Sequence, residues 1–194
     1  MSGLTSKSRI IFLGTGTSEG VPRVSCLTNP ASQCKVCPDA IRQGSPNRRR
    51  NTSLLIQRQL ADGRINNIVI DAGKFFYESA IQWFPKFAVE CIDALVITHA
   101  HADAIGGLDD LRDWTNNTQE SLPIYLRDPD YKQVQSLFYY LVDRTKKTGG
   151  GGVAKLNFKS ISKSPFTIDG LSIIPLPVEH GKKREVFGYR FGPV

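Results

Sequence analysis

Thr98-His99-Ala100-His101-Ala102-Asp103 is the stretch on which the reading of this chain turns. It follows Ile92, Ala94, Leu95, Val96 and Ile97, the clearest buried strand in the sequence. It precedes Ile105, Leu108, Leu111 and Trp114, whose spacing of three marks one face of a helix. Strand ends are where a rigid scaffold presents ligands on loops. In an extended or turning segment, residues i and i+2 can project to the same side, so His99 and His101 can chelate one ion. An isolated His-x-His is more often a surface or core pair. The preceding strand, Asp103 and the following Gly106-Gly107-Leu108-Asp109 turn the reading toward metal.

The chain has three histidines, and the third, His180, follows Leu176-Pro177-Val178-Glu179 at another strand end. A third imidazole would complete a His₃ site with one position open to water. That is the arrangement of a catalytic zinc, which lowers the pKa of its water to about 7. Asp103, two residues beyond His101 on the same side, is a candidate ligand for a second ion or a holder of the nucleophilic water. Asp71, at the end of Ile68-Val69-Ile70, reads either as a support for the metal turn or as a turn former. Asp109 and Asp110 read either as partners of imidazole N–H groups or as helix-surface residues. Trp83 and Trp114 read as core.

Further out, Ile10–Leu13 reads as a strand running into Gly14-Thr15-Gly16-Thr17. Residues 18–47 show no periodicity and are rich in Pro, Gly, Ser and Cys. A loop that long is usually functional or pinned. Thr52–Gln57 and Asn67–Asp71 read as strands around an Asp62-Gly63 hairpin turn. Phe75–Phe84 reads as a helix, Pro123–Leu126 as a strand, and Asp130–Val142 as a helix. Gly149–Gly152 reads as a loop tip. Leu156–Ile161, Phe166–Ile168, Leu171–Leu176 and Val186–Phe191 read as strands, with a tight turn at Asp169-Gly170. Strands with interspersed helices and hairpins predict α/β layers on mixed sheets, and 194 residues with no repeats predict one domain over residues 1–194.

Hydrophobic residues make up 40% and charged residues 22% of the chain, a soluble globular balance. No apolar run approaches the roughly 18 residues of a membrane helix, and Ile10–Leu13 is shorter than a signal-peptide core of about 7–15. A cytoplasmic location without membrane contact is the expectation. The net charge of +7 fits solubility or attraction to phosphate-bearing ligands or nucleic acid. Arg48-Arg49-Arg50 is its densest run, a solvated surface or a phosphate contact. Of four cysteines, Cys26, Cys34 and Cys37 cluster. In a reducing compartment such a cluster binds metal more often than it forms disulfides. Cys91 reads as a small core residue.

The motif at 98–104, with its preceding strand and following helix, resembles the His-x-His-x-Asp-His signature of the metallo-β-lactamase superfamily. Gly14–Pro22, the early cysteines, Arg48–Ser53, Asp71-Ala72-Gly73 and Gly107–Arg112 resemble one branch, that of the phosphodiesterase accessory to carbon–phosphorus lyase, related to the tRNA 3′-processing endonucleases. The resemblance covers essentially the whole chain and implies an αββα sandwich of mixed sheets. It implies His99, His101 and His180 as ligands of a first metal and Asp103 as a ligand of a second. It also implies a separate structural zinc on Cys26, Cys34 and Cys37, whose fourth ligand this sequence does not identify. Zinc is the expected metal, in one or two ions at the histidines, with manganese as an alternative.

Two departures from the pattern matter. Ala104 stands where the family has its last motif histidine, and a methyl group cannot ligate. No acidic residue follows Glu185 and no histidine follows His180, whereas the family carries a later bridging Asp and a further His. The chain therefore reads as the N-terminal two-thirds of the fold, incomplete at the C-terminus, with exposed sheet faces that would favour oligomers or aggregation. The expected activity is hydrolysis of a small phosphodiester by a zinc-bound hydroxide. The alternative is an impaired or non-catalytic metal-binding protein. A tRNA-processing role lacks a recognisable gripping arm, with Lys146-Lys147 the only faint candidate. Thiol chemistry at Cys34-x-x-Cys37 is the remaining alternative, disfavoured because that pair lies in a Pro-rich loop.

Overall fold

The structure, a computed structural model, describes residues 8–146, 151–181 and 184–192. Lys147, Gly149, Gly150 and Val194, which figured in the sequence reading, lie outside the described residues. Strands β1 (Ser8–Gly14), β2 (Ser53–Gln59) and β3 (Ile65–Ile70) form an antiparallel meander. Between β1 and β2 lie two five-residue helices, α1 (Val24–Thr28) and α2 (Val36–Ala40). They are too short to show helical periodicity, which is why residues 18–47 read as irregular. Helix α3 (Phe76–Trp83) follows β3.

Parallel strands β4 (Ala94–Val96), β5 (Leu122–Leu126) and β6 (Leu156–Ser160) then extend the sheet to six strands in sequence order. The single helix expected from Ile105 to Trp114 is broken. It consists of α4 (Ala102–Ile105), a 3-10 turn at Asp109–Leu111 and α5 (Arg112–Asn117), interrupted at Gly106-Gly107. Its apolar face nonetheless holds, with Ile105, Leu108 and Leu111 buried. The helix expected over Asp130–Val142 starts earlier and divides at Phe138 into α6 (Asp128–Leu137) and α7 (Tyr139–Val142). A second, antiparallel sheet comprises β7 (Phe166–Ile168), β8 (Leu171–His180) and β9 (Arg184–Phe191).

The period of two along each strand divides the core. Leu55, Val69 and Leu95 face the helices and pack with Phe76, Ile105, Leu108, Leu111 and Val134. Ile56, Ile68, Ile70, Ala94 and Val96 face the second sheet and meet Ile168, Leu171 and Ile173. The result is a helical layer, a six-stranded mixed sheet and a three-stranded sheet, an α/β fold in which the described residues supply three layers of the expected αββα order. Ile10 and Phe12 pair across to Ile56 and Leu54, on the face turned toward the second sheet. They remain 59% and 60% exposed. Cys91 corrects its expected core placement: it is half-buried, with Sγ 3.9 Å from the Thr118 carbonyl oxygen.

Candidate metal centre

The parallel pairing of β3 and β4 brings their C-terminal ends side by side. Asp71 and Thr98 each stand just beyond a strand end. The Thr98 amide donates to Asp71 Oδ1 at 2.8 Å and the Thr98 hydroxyl to Oδ2 at 2.7 Å. Asp71 adopts a φ of +59°, a left-handed conformation that Asp tolerates better than most residues. Both alternatives read for it from the sequence therefore hold at once. Burial pushes its carboxyl up to about 7, against the opposing pull of the two Thr98 hydrogen bonds.

Two residues on, Gly73 packs against the metal turn. A Cβ there would meet the Asp103 carbonyl oxygen at 2.0 Å, so only glycine fits. The close approach lets Ala72 N–H donate to Ala104 O at 2.8 Å and Lys74 N–H to Ala102 O at 3.1 Å. Ala104 itself is buried in the core, where its methyl offers no ligand atom.

From the other side, α6 contributes Asp130. Its Oδ1 accepts the Ala100 amide at 3.1 Å, between the two histidines. Its Oδ2 accepts Arg127 Nε at 2.6 Å. Two buried carboxylates thus bracket residues 98–100 and hold the backbone from which both imidazoles project. Sequence reasoning missed Asp130, which looked like an ordinary acidic residue in a helix's first turn.

The three histidines come together. Ring centroids lie 4.7 Å apart for His99–His101, 5.0 Å for His99–His180 and 5.4 Å for His101–His180. Each offers a nitrogen within 4.8 Å of the others. Because the Thr98 hydroxyl gives its proton to Asp71, its oxygen accepts from His99 Nδ1 at 2.9 Å. That assigns the proton to Nδ1 and leaves the lone pair on Nε2, which is buried without a hydrogen-bond partner. A buried acceptor with no donor is costly, and a cation at this point satisfies it. Burial lowers the pKa of His99 and of His101, favouring the neutral form that ligates.

Asp103 stands beside this group, with Oδ1 3.6 Å from His99 Nε2. Its Oδ2 accepts the Ser18 hydroxyl at 2.6 Å. Burial raises its pKa, but the Ser18 hydrogen bond and the nearby imidazoles outweigh that and hold it below the usual carboxylate range. Ser18 reaches the site because the Asn51 amide donates to the carbonyls of both Thr17 and Ser18. No local pattern marks Ser18 for this contact.

The acidic residues after the turn serve elsewhere. Asp109 faces Arg112 at 3.7 Å. Asp110 lines a groove of about 510 Å³ with Tyr77, Phe84 and Trp114. Trp83 and Trp114 pack against the helical core, as expected. The three arginines mostly serve as local ties. Arg48 donates to the carbonyls of Ala40 and Ile41, Arg49 to Thr15 and Arg50 to Gln82.

Cys26, Cys34 and Cys37 form a second group, also with donor atoms within 4.8 Å of one another. The Cys37 amide donates to Cys34 Sγ at 3.4 Å and the Arg23 amide to Cys37 Sγ at 3.4 Å. The Cys37 amide is the main cause that draws Cys34 down to about 7. Amide donors aimed at sulfur favour thiolate, the ligating form.

The beta-lactamase superfamily domain matches residues 66–193. An octanoyltransferase of Porphyromonas gingivalis is 32% identical over 95% of this chain and 33% of its own length. A probable metallo-hydrolase of Bacillus subtilis, YhfI, is 28% identical over 56% of this chain and 43% of its own. Among solved structures, a diphosphatase from the PhnP family superposes with a TM-score of 0.72 at 29% identity, covering 96% of this chain and 63% of that one. The chain thus spans less than two thirds of each of these relatives. Among the described residues, no helix is long and apolar enough to cross a membrane. The family match, the layered mixed sheets and the histidine turn between β4 and α4 agree: the chain belongs to the metallo-β-lactamase superfamily.

Proposed function

We propose that this chain is a metal-dependent hydrolase of phosphodiesters, with His99, His101 and His180 as ligands of a zinc ion. The observation that carries the reading is the convergence of three imidazole nitrogens within 4.8 Å around a buried, unpartnered His99 Nε2. The likeness to a PhnP-family diphosphatase supports attack at phosphorus over attack at other hydrolysable centres. A zinc ion held there supplies Lewis acidity and activates water near neutral pH.

The protein's own groups complete the chemistry. Asp103, kept ionised and aimed by Ser18, accepts a hydrogen bond from the attacking water and orients it, or ligates a second cation. Asp71 acts through Thr98, and Asp130 through the Ala100 amide, to hold the imidazoles in ligating orientation. Manganese is an alternative metal for the same donors. Cys26, Cys34 and Cys37 suit a separate structural zinc, and their thiols fit a reducing, cytoplasmic setting.

The test is hydrolysis of bis(p-nitrophenyl) phosphate. We expect turnover that is lost on chelation, restored by zinc or manganese, and absent in His99→Ala. Zinc bound at the histidines with no turnover would overturn the hydrolase reading. It would leave the second one, a non-catalytic metal-binding protein, which the buried Ala104 methyl favours.

A further inference from the structure

Arg184 opens β9 directly opposite His180 across the hairpin, and its side chain reaches the histidine group. Nη1 lies 2.7 Å from His101 Nε2. Nη2 lies 3.0 Å from Gln133 Oε1 and 3.3 Å from Asp130 Oδ1. A guanidinium has donors and no acceptor. The contact therefore requires the lone pair of His101 to sit on Nε2, and it places the ring proton on Nδ1. Both nitrogens are thereby withheld from a cation, one by its spent lone pair and the other by its proton. A neutral His101 that ligates through either nitrogen must give up Arg184.

Arg184 is also not needed to neutralise Asp130. Arg127 already does so, with Nε on Oδ2, Nη1 on the Glu185 carbonyl and its guanidinium stacked on the Phe187 ring. The Arg127 side chain is 10% exposed and that of Asp130 1%, whereas Arg184 is 28% exposed. One arginine is a buried structural tie. The other is a solvent-accessible cation, tethered by two acceptors at the rim of the histidine group.

We infer that Arg184 is a gate on the metal site that becomes its anion clamp. It competes with the metal for His101 and, once displaced, turns its guanidinium to the phosphoryl oxygens of the substrate. The clamp half rests on the phosphodiesterase reading. The planar fork of arginine suits two phosphoryl oxygens. Its tether to Asp130 and Gln133 limits how far it can swing.

The test measures zinc affinity of the metal-depleted protein against a chromogenic chelator, counting only zinc that His99→Ala loses. It then measures the affinity of the zinc-loaded protein for inorganic phosphate. Arg184→Gln keeps an amide for Asp130 and Gln133 but loses the charge. We expect it to bind zinc about ten-fold more tightly, as befits removal of a charge-assisted competitor, and phosphate about ten-fold more weakly. Arg184→Lys should fall between wild type and Arg184→Gln in both. Loss of a merely structural arginine would weaken zinc binding, so unchanged or weaker zinc in Arg184→Gln overturns the gate. Unchanged phosphate affinity overturns the clamp. Wild-type protein that takes up no more zinc than His99→Ala overturns the metal-site reading and this inference with it.

Discussion

Among the described residues, two groups of three side chains of metal-binding type stand together, and they are built in opposite ways. His99 and His101 sit on a turn whose backbone is held by the buried carboxylates of Asp71 and Asp130, and His180 closes β8. Cys26, Cys34 and Cys37 sit on and around two five-residue helices, of which only Cys37 and Ala40 are buried. The strand ends and the hydrogen bonds around them hold the backbone from which His99 and His101 project. The cysteine segment has little apolar surface to hold it, so a metal there would supply much of its local order. On the proposed reading, the histidine group would be a metal site carried by the scaffold, and the cysteine group would be a staple for a loop.

The largest expected effect separates the two groups. His99→Ala should remove one equivalent of zinc and lower phosphodiester turnover by about a thousand-fold or more, since a catalytic metal supplies both the Lewis acid and the activated water. Elemental analysis should find the cysteine metal retained. Equal zinc loss from both groups would mean that they are not independent.

Next in size is Gly73→Ala. Its Cβ would strike backbone at 2.0 Å rather than a flexible side chain. We expect destabilisation of about 3 kcal/mol, a severe value for one methyl group. Gly63→Ala, in an open hairpin with φ +87°, should cost only about 1 kcal/mol from backbone strain. Thermal melting of the pair checks whether the turn's close packing, rather than positive φ, dominates.

Smaller again is Asp71→Asn, which weakens the hold on Thr98 without opening a cavity. Zinc affinity of the histidine group should fall by about 10–100-fold, the usual effect of losing a partner that orients ligands. Chelator competition measures it. No change would mean that strand geometry alone orients the imidazoles.

The smallest effect on turnover belongs to Cys34→Ser. It should abolish the cysteine metal and speed proteolysis within residues 18–47, while turnover changes by less than about three-fold. Because Ser18 lies in that segment and holds Asp103, a larger fall would show that the cysteine segment also positions Asp103.

The two groups also differ in what the sequence disclosed. The convergence of the three histidines was legible because each stands at or just beyond a strand end and two of them lie one residue apart. The cysteine trio was legible by proximity alone. The supporting groups were not. Ser18 meets Asp103 across 85 residues, and Asp130 meets Ala100 across 30. Arg184 meets His101 across 83. Such contacts depend on which strands lie side by side, and no local pattern encodes that. Asp71 fell between these cases. Its place at a strand end was visible, but its grip on Thr98 required the parallel pairing of β3 and β4. The broken helix after the turn has a similar cause. Its apolar spacing was read correctly, but Gly106-Gly107 lets the chain bend close to Gly73 and Phe76.

The most direct measurement of the central claim is anomalous diffraction at the zinc edge from crystals grown with zinc. A peak is expected among His99, His101 and His180, about 2.0–2.1 Å from the ligating nitrogens, with Arg184 no longer bonded to His101. A peak at the cysteines with none among the histidines would contradict it.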